Sequence, residues 1–211
     1  MGRLYATLEK KAVNILAKKL LITDFDPFGG ASINPSWEAV RLLPDTVGSY
    51  QLTKLRIPTV FGEAAQAVLD AAEQLRPDVI LCIGQAGGRK AITPEAVAIN
   101  LREAGIPDNA GNQPANAPVI PNGPAAYFAT VPVRQMVSAI AAAGVDASLS
   151  LSAGAFVCND TLYTLLHHYS RSLTQVGFVH IPYLPQQAPE GQPSMALEQT
   201  VAGLTAAIEA L

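Results

Sequence analysis

Two spacings of apolar residues alternate along the chain. Short runs at Leu20 to Ile22, Gln51 to Ile57, Val79 to Ile83, Ala147 to Ser152 and Val176 to Ile181 carry the continuous or period-two pattern of strands. The run Val79 to Ile83 is apolar at every position, which predicts a central parallel strand covered on both faces. Between these runs, Ala65, Val68, Leu69 and Ala72 repeat at helical spacing, as do Val133, Met136, Val137 and Ile140. Two further stripes follow, Leu162, Leu165, Leu166 and Tyr169, then Leu197, Val201, Leu204 and Ile208. Asn34 as N-cap and Pro35 as first residue announce a helix carrying Trp37 and Val40, and Gly144 ends the helix after Ile140. No internal repeat, low-complexity tract or linker divides the chain, so the alternation predicts a single α/β sandwich.

Two segments break the rhythm. From Leu101 to Thr130 the chain is rich in Pro, Gly and Asn, and an irregular excursion of that length is expected to be a lid, a binding loop or an interface. Residues 5 to 18 could form a basic amphipathic helix through Leu8, Ala12, Ile15 and Leu16, read as an appendage ahead of the first strand. The expected organisation is an extension over 1–18 followed by one domain over 19–211.

Composition narrows the function classes. With 211 residues, 49% of them hydrophobic, the chain can bury a substantial core. Fourteen basic against seventeen acidic side chains give a formal charge of -3, and no Lys/Arg cluster could track a nucleic-acid backbone. No apolar run is long enough to span a bilayer, and the Lys-rich first twenty residues lack the apolar core of a secretion signal, so a cytoplasmic protein is expected. The two cysteines, Cys82 and Cys158, are far apart in dissimilar settings, which suggests neither a disulfide framework nor a metal cluster.

In open α/β sheets, ligands collect at the carboxyl ends of the strands. Cys158, in SAGAFVCND, follows one strand end, and Asn159 or Asp160 is expected to cap the helix carrying Leu162. A thiol at a helix N-terminus would have its pKa lowered by unpaired N–H groups and the helix dipole; burial as a packing residue is the competing reading. Cys82, inside VILCI, reads as core. His180, in GFVHIPYLP, could serve as a base, with Val179 and Ile181 on the opposite face, or could be structural. Glu95 could orient it, with Asp108 of IPDN as a rival, whereas His167 and His168 are read as structural or solvent-facing. The loop TDFDPFGGASINPSW resembles a phosphate cradle in outline, yet Asp24 and Asp26 would repel an anion and the P-loop lysine is missing.

The segments DPFGGASINPSWEAV, GQAGGRKAITPEAVAIN, GIPDNAGNQP, SAGAFVCN and FVHIPYLPQQ, in this order, resemble the pyroglutamyl peptidase I family of cysteine peptidases over about Lys19 to the C-terminus. The resemblance implies a single-domain three-layer α/β/α sandwich with a mostly parallel central sheet, assembled as a homotetramer or dimer. It implies removal of N-terminal pyroglutamate from peptides by Cys158 as nucleophile, His180 as base and Glu95 as orienting acid, with no metal or organic cofactor. Phe25, Phe28 and Phe156 would wall the pocket, Val157 would adjoin it, and Gln85 would offer an amide to the lactam ring. Asp24 departs from the family pattern, where glycine is usual, as does Gly105, where arginine is common. A carboxylate beside Phe25 would disfavour a neutral ring, so the alternatives are a catalytically silent or altered-specificity relative that binds small amides or peptides. A nucleoside-processing or phosphate-using enzyme would need a basic phosphate pocket, which the two aspartates argue against.

Overall fold

The computed structural model describes residues 17–211. In chain order its elements are β1 (Lys18–Phe25), α1 (Pro35–Val40), β2 (Thr46–Val47), β3 (Tyr50–Ile57), α2 (Glu63–Leu75), β4 (Val79–Gln85) and β5 (Thr93–Pro94). Then come β6 (Val97–Ile99), β7 (Ala126–Phe128), α3 (Val133–Ala142), α4 (Val157–His168), β8 (Gln175–Ile181) and α5 (Leu197–Glu209). The helix expected over 5–18 falls outside the described residues except at its end, where Lys18 already opens β1.

The main sheet has the order β2-β3-β1-β4-β8-β5. Its four middle strands are parallel, and the two short edge strands run antiparallel to their neighbours. Side chains alternate across it as the pleat requires. Leu20, Ile22, Leu81, Ile83, Val179 and Ile181 meet α1, α3 and α5 on one face. Leu21, Phe25, Ile80, Cys82 and Phe178 meet α2 and α4 on the other. The result is the expected three-layer α/β/α sandwich. Strand β4, between β1 and β8, is buried along Val79–Gly84, and each Leu or Ile it removes from water stabilises the fold by ~1.5–3 kcal/mol. Groups mounted at its end therefore stand on a rigid floor.

Local signals worked as their chemistry predicts. The Asn34 side chain accepts from Ser36 N at 3.0 Å, with Pro35 as first helical residue. Gly144 takes φ +77° just past α3, a left-handed conformation that stops the helix.

One expected strand is absent. Ala147 to Ser152 touches its neighbour at only two isolated parallel bridges, Ile92 with Ala147 and Glu95 with Ser150. Ile92 N donates to Asp146 O at 2.9 Å and Ala96 N to Ser150 O at 2.8 Å, but the residue midway is Pro94, which has no N–H to complete the ladder. The apolar alternation of ASLSLS is intact; its partner breaks the pairing. The 101–130 excursion folds back over the strand ends, where Asn109 N donates to Thr59 O at 3.1 Å and its side chain to Pro27 O at 2.9 Å.

Candidate active site

The loops after β1, β4 and β8 and the start of α4 converge at the carboxyl ends of the parallel strands. Gly84 and His180 are register partners on β4 and β8, so both face the α2/α4 layer. A methyl group on Gly84 would lie 3.1 Å from Cys158 Sγ and 2.7 Å from Phe178 Cζ. Only a residue without Cβ lets the sulfur and the ring lie on the sheet at this point. The sulfur thus rests over the strand neighbouring His180, whose imidazole packs 4.7 Å from the Phe178 ring.

His180 is 3% exposed, and its Nδ1 lies 2.7 Å from Oε1 of the wholly buried Glu95. The same oxygen accepts from Arg89 Nη1 at 2.6 Å. Burial pushes the Glu95 carboxyl up, but the His180 hydrogen bond, the imidazolium charge and Arg89 more than offset it, and the net is a carboxyl below its ordinary range. An ionised carboxylate only accepts, so Nδ1 must carry the proton and Nε2 must present a lone pair. Burial also lowers His180, against the upward pull of Glu95 and with help from Arg89, so the imidazole is neutral at neutral pH.

The thiol corrects an expectation. Burial pushes Cys158 up to about 12, with the Glu95 charge adding to it and Arg89 and the cysteine's own backbone N–H opposing. The helix N-terminus does not outweigh desolvation, and the resting pair is thiol with neutral imidazole. The capping expectation also fails. Helix α4 begins earlier, with Phe156 in the N-cap position and no side chain capping it. Asn159 and Asp160 lie inside the first turn and are consumed elsewhere. Asn159 bonds Ile99 N and O, both at 2.9 Å, and Leu101 O at 3.0 Å. Asp160 accepts from Gly62 N at 2.8 Å and Arg102 Nε at 2.6 Å. The first N–H groups of α4 are left without a side-chain acceptor beside the sulfur.

The remaining candidates divide. Phe28 lies 6.1 Å from Phe156, which meets Phe61 edge-on at 5.2 Å. Phe28 and Gln85 line a groove of about 760 Å³ together with Ile106, Tyr183 and Gln187. Phe25 is 2% exposed and packs 6.0 Å from Phe178, while Val157 is fully buried in the same core. The amide of Gln85 accepts from Gln187 Nε2 at 3.0 Å. Asp108 is not gathered with His180: its carboxylate accepts from Phe61 N, Ala110 N and Asn112 N at 2.8–3.0 Å and so shapes the 108–112 turn. His167 is bonded to Tyr127, and His168 is exposed. Asp24 projects from the α1 side of β1 and pairs with Arg56, away from Phe25. Gly105 is exposed, with nothing within 4 Å of where a side chain would start.

Arg89, Phe61, Tyr183 and Gln187 had no assigned role from sequence. Arg89, Tyr183 and Gln187 lie inside the quoted segments, and Arg89 precedes Glu95 by six positions, but only the folded turn brings its guanidinium back to the carboxylate. Among the described residues no cluster of His, Cys, Asp and Glu is arranged to hold a metal ion, and no helix is long and apolar enough to cross a membrane.

A thiol, an imidazole and a buried carboxylate gathered at the carboxyl ends of parallel strands have the composition of an acyl-transfer centre. The family model described as pyroglutamyl peptidase matches residues 18–211. The chain is 51% identical over 197 residues to the pyrrolidone-carboxylate peptidase of Levilactobacillus brevis, covering 92% of this chain and 97% of that one. It is 53% identical over 196 residues to the enzyme of that name from Escherichia fergusonii, covering 90% and 91%. The crystal structure of Bacillus amyloliquefaciens pyroglutamyl peptidase I superposes with a TM-score of 0.87 at 45% identity, covering 91% of this chain and 95% of that one. A mutant pyrrolidone carboxyl peptidase from Pyrococcus furiosus superposes with a TM-score of 0.85 at 36% identity, covering 90% and 96%. The chain belongs to the pyroglutamyl peptidase family.

Proposed function

We propose that this protein is a cysteine exopeptidase that hydrolyses the amide bond following an N-terminal pyroglutamyl residue of peptides. The observation that carries the reading is the clearance over Gly84, which seats Cys158 Sγ beside the strand bearing a neutral, Glu95-oriented imidazole. As sulfur attacks the pyroglutamyl carbonyl carbon, its proton passes to His180 Nε2 and the C–S bond forms. The uncapped amides at the start of α4 hold the oxyanion. The imidazolium then protonates the departing amine as the C–N bond breaks. Water, deprotonated by the same nitrogen, hydrolyses the thioester and restores the thiol. Glu95 stays ionised throughout and fixes the tautomer.

The lactam is flat, uncharged and apolar on both faces, and the groove lined by Phe28 and by Gln85, the residue after Gly84, offers it an aromatic wall and an amide, with Phe156 packed 6.1 Å from Phe28. Phe25 and Val157 act from the buried cluster against which Phe156 packs. No charged side chain lines this groove, which favours the neutral ring over an ordinary N-terminal ammonium. The test is release of a chromophore from a pyroglutamyl amide and from the matching prolyl and glutamyl amides. Cleavage of the pyroglutamyl amide alone, lost in folded Cys158→Ala and His180→Ala proteins, is the expected result. Undiminished turnover in Cys158→Ala protein would refute the assignment.

A further inference from the structure

We propose that Arg89 is a positioning residue of this centre, joining Glu95, the strand of His180 and the chain that enters the Cys158 helix through one guanidinium. The inference rests on the peptidase reading above. Its geometric basis is a set of four contacts. Nη1 reaches Glu95 Oε1 at 2.6 Å, the same oxygen that holds His180 Nδ1, and Thr93 Oγ1 at 2.5 Å. The Thr93 hydroxyl donates to the backbone O of His180 at 3.3 Å. Nη2 donates to Ser152 O at 2.9 Å, six residues ahead of the nucleophile.

Each contact meets a need created by the fold. Glu95 is wholly buried, and Arg89 Nη1 gives its Oε1 a second donor beside His180 Nδ1. The segment up to Ser152 lacks a continuous ladder because Pro94 cannot donate, so a side-chain bond at its end supplies restraint that the backbone does not. The ionisable groups facing His180 are Glu95 from the β5 stretch, Arg89 from the turn after β4 and Cys158 from α4. Of these, Arg89 alone opposes the attraction of Glu95 for an imidazolium, and it pulls His180 downward. Burial is the first cause that holds His180 below its ordinary range, and Arg89 adds to it. Without it, Glu95 would retain the imidazolium to higher pH.

The experiment compares wild-type, Arg89→Met and Arg89→Lys proteins by kcat and KM for a pyroglutamyl amide over pH 5–9, with imidazole NMR titration of His180 in the same samples. For Arg89→Met, kcat should fall by about 10- to 100-fold, as when an outer hydrogen-bond partner of an active group is lost, while KM changes little. The acidic limb and the His180 titration should both move upward together. Arg89→Lys should keep the limb near its wild-type place and recover part of kcat. Arg89 also lines an open groove of about 780 Å³, so added guanidinium should partly rescue the Met variant. A merely structural arginine would lower thermal stability and leave the limb where it was. An unmoved titration with kcat within twofold of wild type overturns the proposal. If Arg89→Met does not fold, the Lys variant decides, because a retained charge that fails to hold the limb overturns it equally. Wild-type protein that leaves pyroglutamyl amides intact would instead overturn the peptidase reading, and the NMR titration still reports whether Arg89 sets the imidazole.

Discussion

Asp24 gives the sharpest stability prediction. It is fully buried, and neither carboxylate oxygen has a hydrogen-bond partner. Arg56 Nε stands 3.5 Å from Oδ1, but that guanidinium is stacked 3.8 Å over the Trp37 ring and is also drawn by Asp26 at 3.9 Å. Burial therefore wins over the arginine, and the Asp24 carboxyl is pushed up to about 7. A group raised in the folded state contributes stability that is fully present below its unfolded value of 3.8 and is lost as the pH rises through about 7. The slope of ~1.4 kcal/mol per pH unit runs from about 3.8 to about 7, and the part of it above pH 5 gives a loss of about 3 kcal/mol between pH 5 and pH 8. Asp24→Asn keeps the shape and removes the titration. With the amide equivalent to the protonated acid, it should exceed wild type by about 1.5 kcal/mol at pH 5 and by about 4.5 kcal/mol at pH 8. Urea unfolding of both proteins at pH 5, 6, 7 and 8 measures this, and the difference between the two curves cancels every other titrating group. Parallel curves would mean that the folded chain keeps Asp24 ionised throughout, and the account of its burial would fall.

Two further predictions concern the sulfur. Gly84→Ala puts a methyl group 2.7 Å from Phe178 Cζ and 3.1 Å from Sγ. It should cost about 1–3 kcal/mol in urea unfolding and lower kcat by on the order of 100-fold through misplacement of the thiol; wild-type kcat in that variant would refute the close approach. Because burial holds the Cys158 thiol at about 12, its alkylation by iodoacetamide should rise about tenfold per pH unit from pH 6 to 9.5. Fast, pH-independent labelling between pH 6 and 8 would instead mean a preformed thiolate–imidazolium pair.

Much of the architecture was legible because local and tertiary signals agree. The continuous apolar run of β4, the Asn34–Pro35 start of α1 and the Gly144 stop after α3 each follow from a property of the residues concerned. What was illegible depended on a partner distant in sequence. ASLSLS reads as a strand until Pro94, more than fifty positions earlier, withholds one donor. Asn159 and Asp160 read as caps until Ile99, Leu101, Gly62 and Arg102 claim their side chains. In sequence Asp24 reads as a threat to an apolar pocket because its side chain has no direction there, and the pleat turns it toward α1. At the site, strand-end reasoning singled out Cys158, His180 and Glu95 but could not find Arg89, whose role exists only once the turn after β4 has closed.

The two cysteines show why reactivity belongs to the neighbourhood and not to the thiol. Cys82 faces the α2/α4 layer to which Cys158 belongs, and burial pushes both up to about 12. By acidity alone they are equivalent, and both would be inert near neutral pH. Cys82 has the Thr23 hydroxyl beside it in a closed core, which can stabilise but cannot accept and pass on a proton. Cys158 is half-buried at the start of α4, next to the strand carrying a neutral imidazole whose proton position is fixed by a buried carboxylate. A high thiol pKa is no obstacle there if sulfur surrenders its proton only as the C–S bond forms, since the ion pair then exists in the transition state and not before it. Desolvation that keeps the resting thiol neutral also strengthens each fixed dipole aimed at the developing charge, so burial, which silences Cys82, is compatible with catalysis at Cys158.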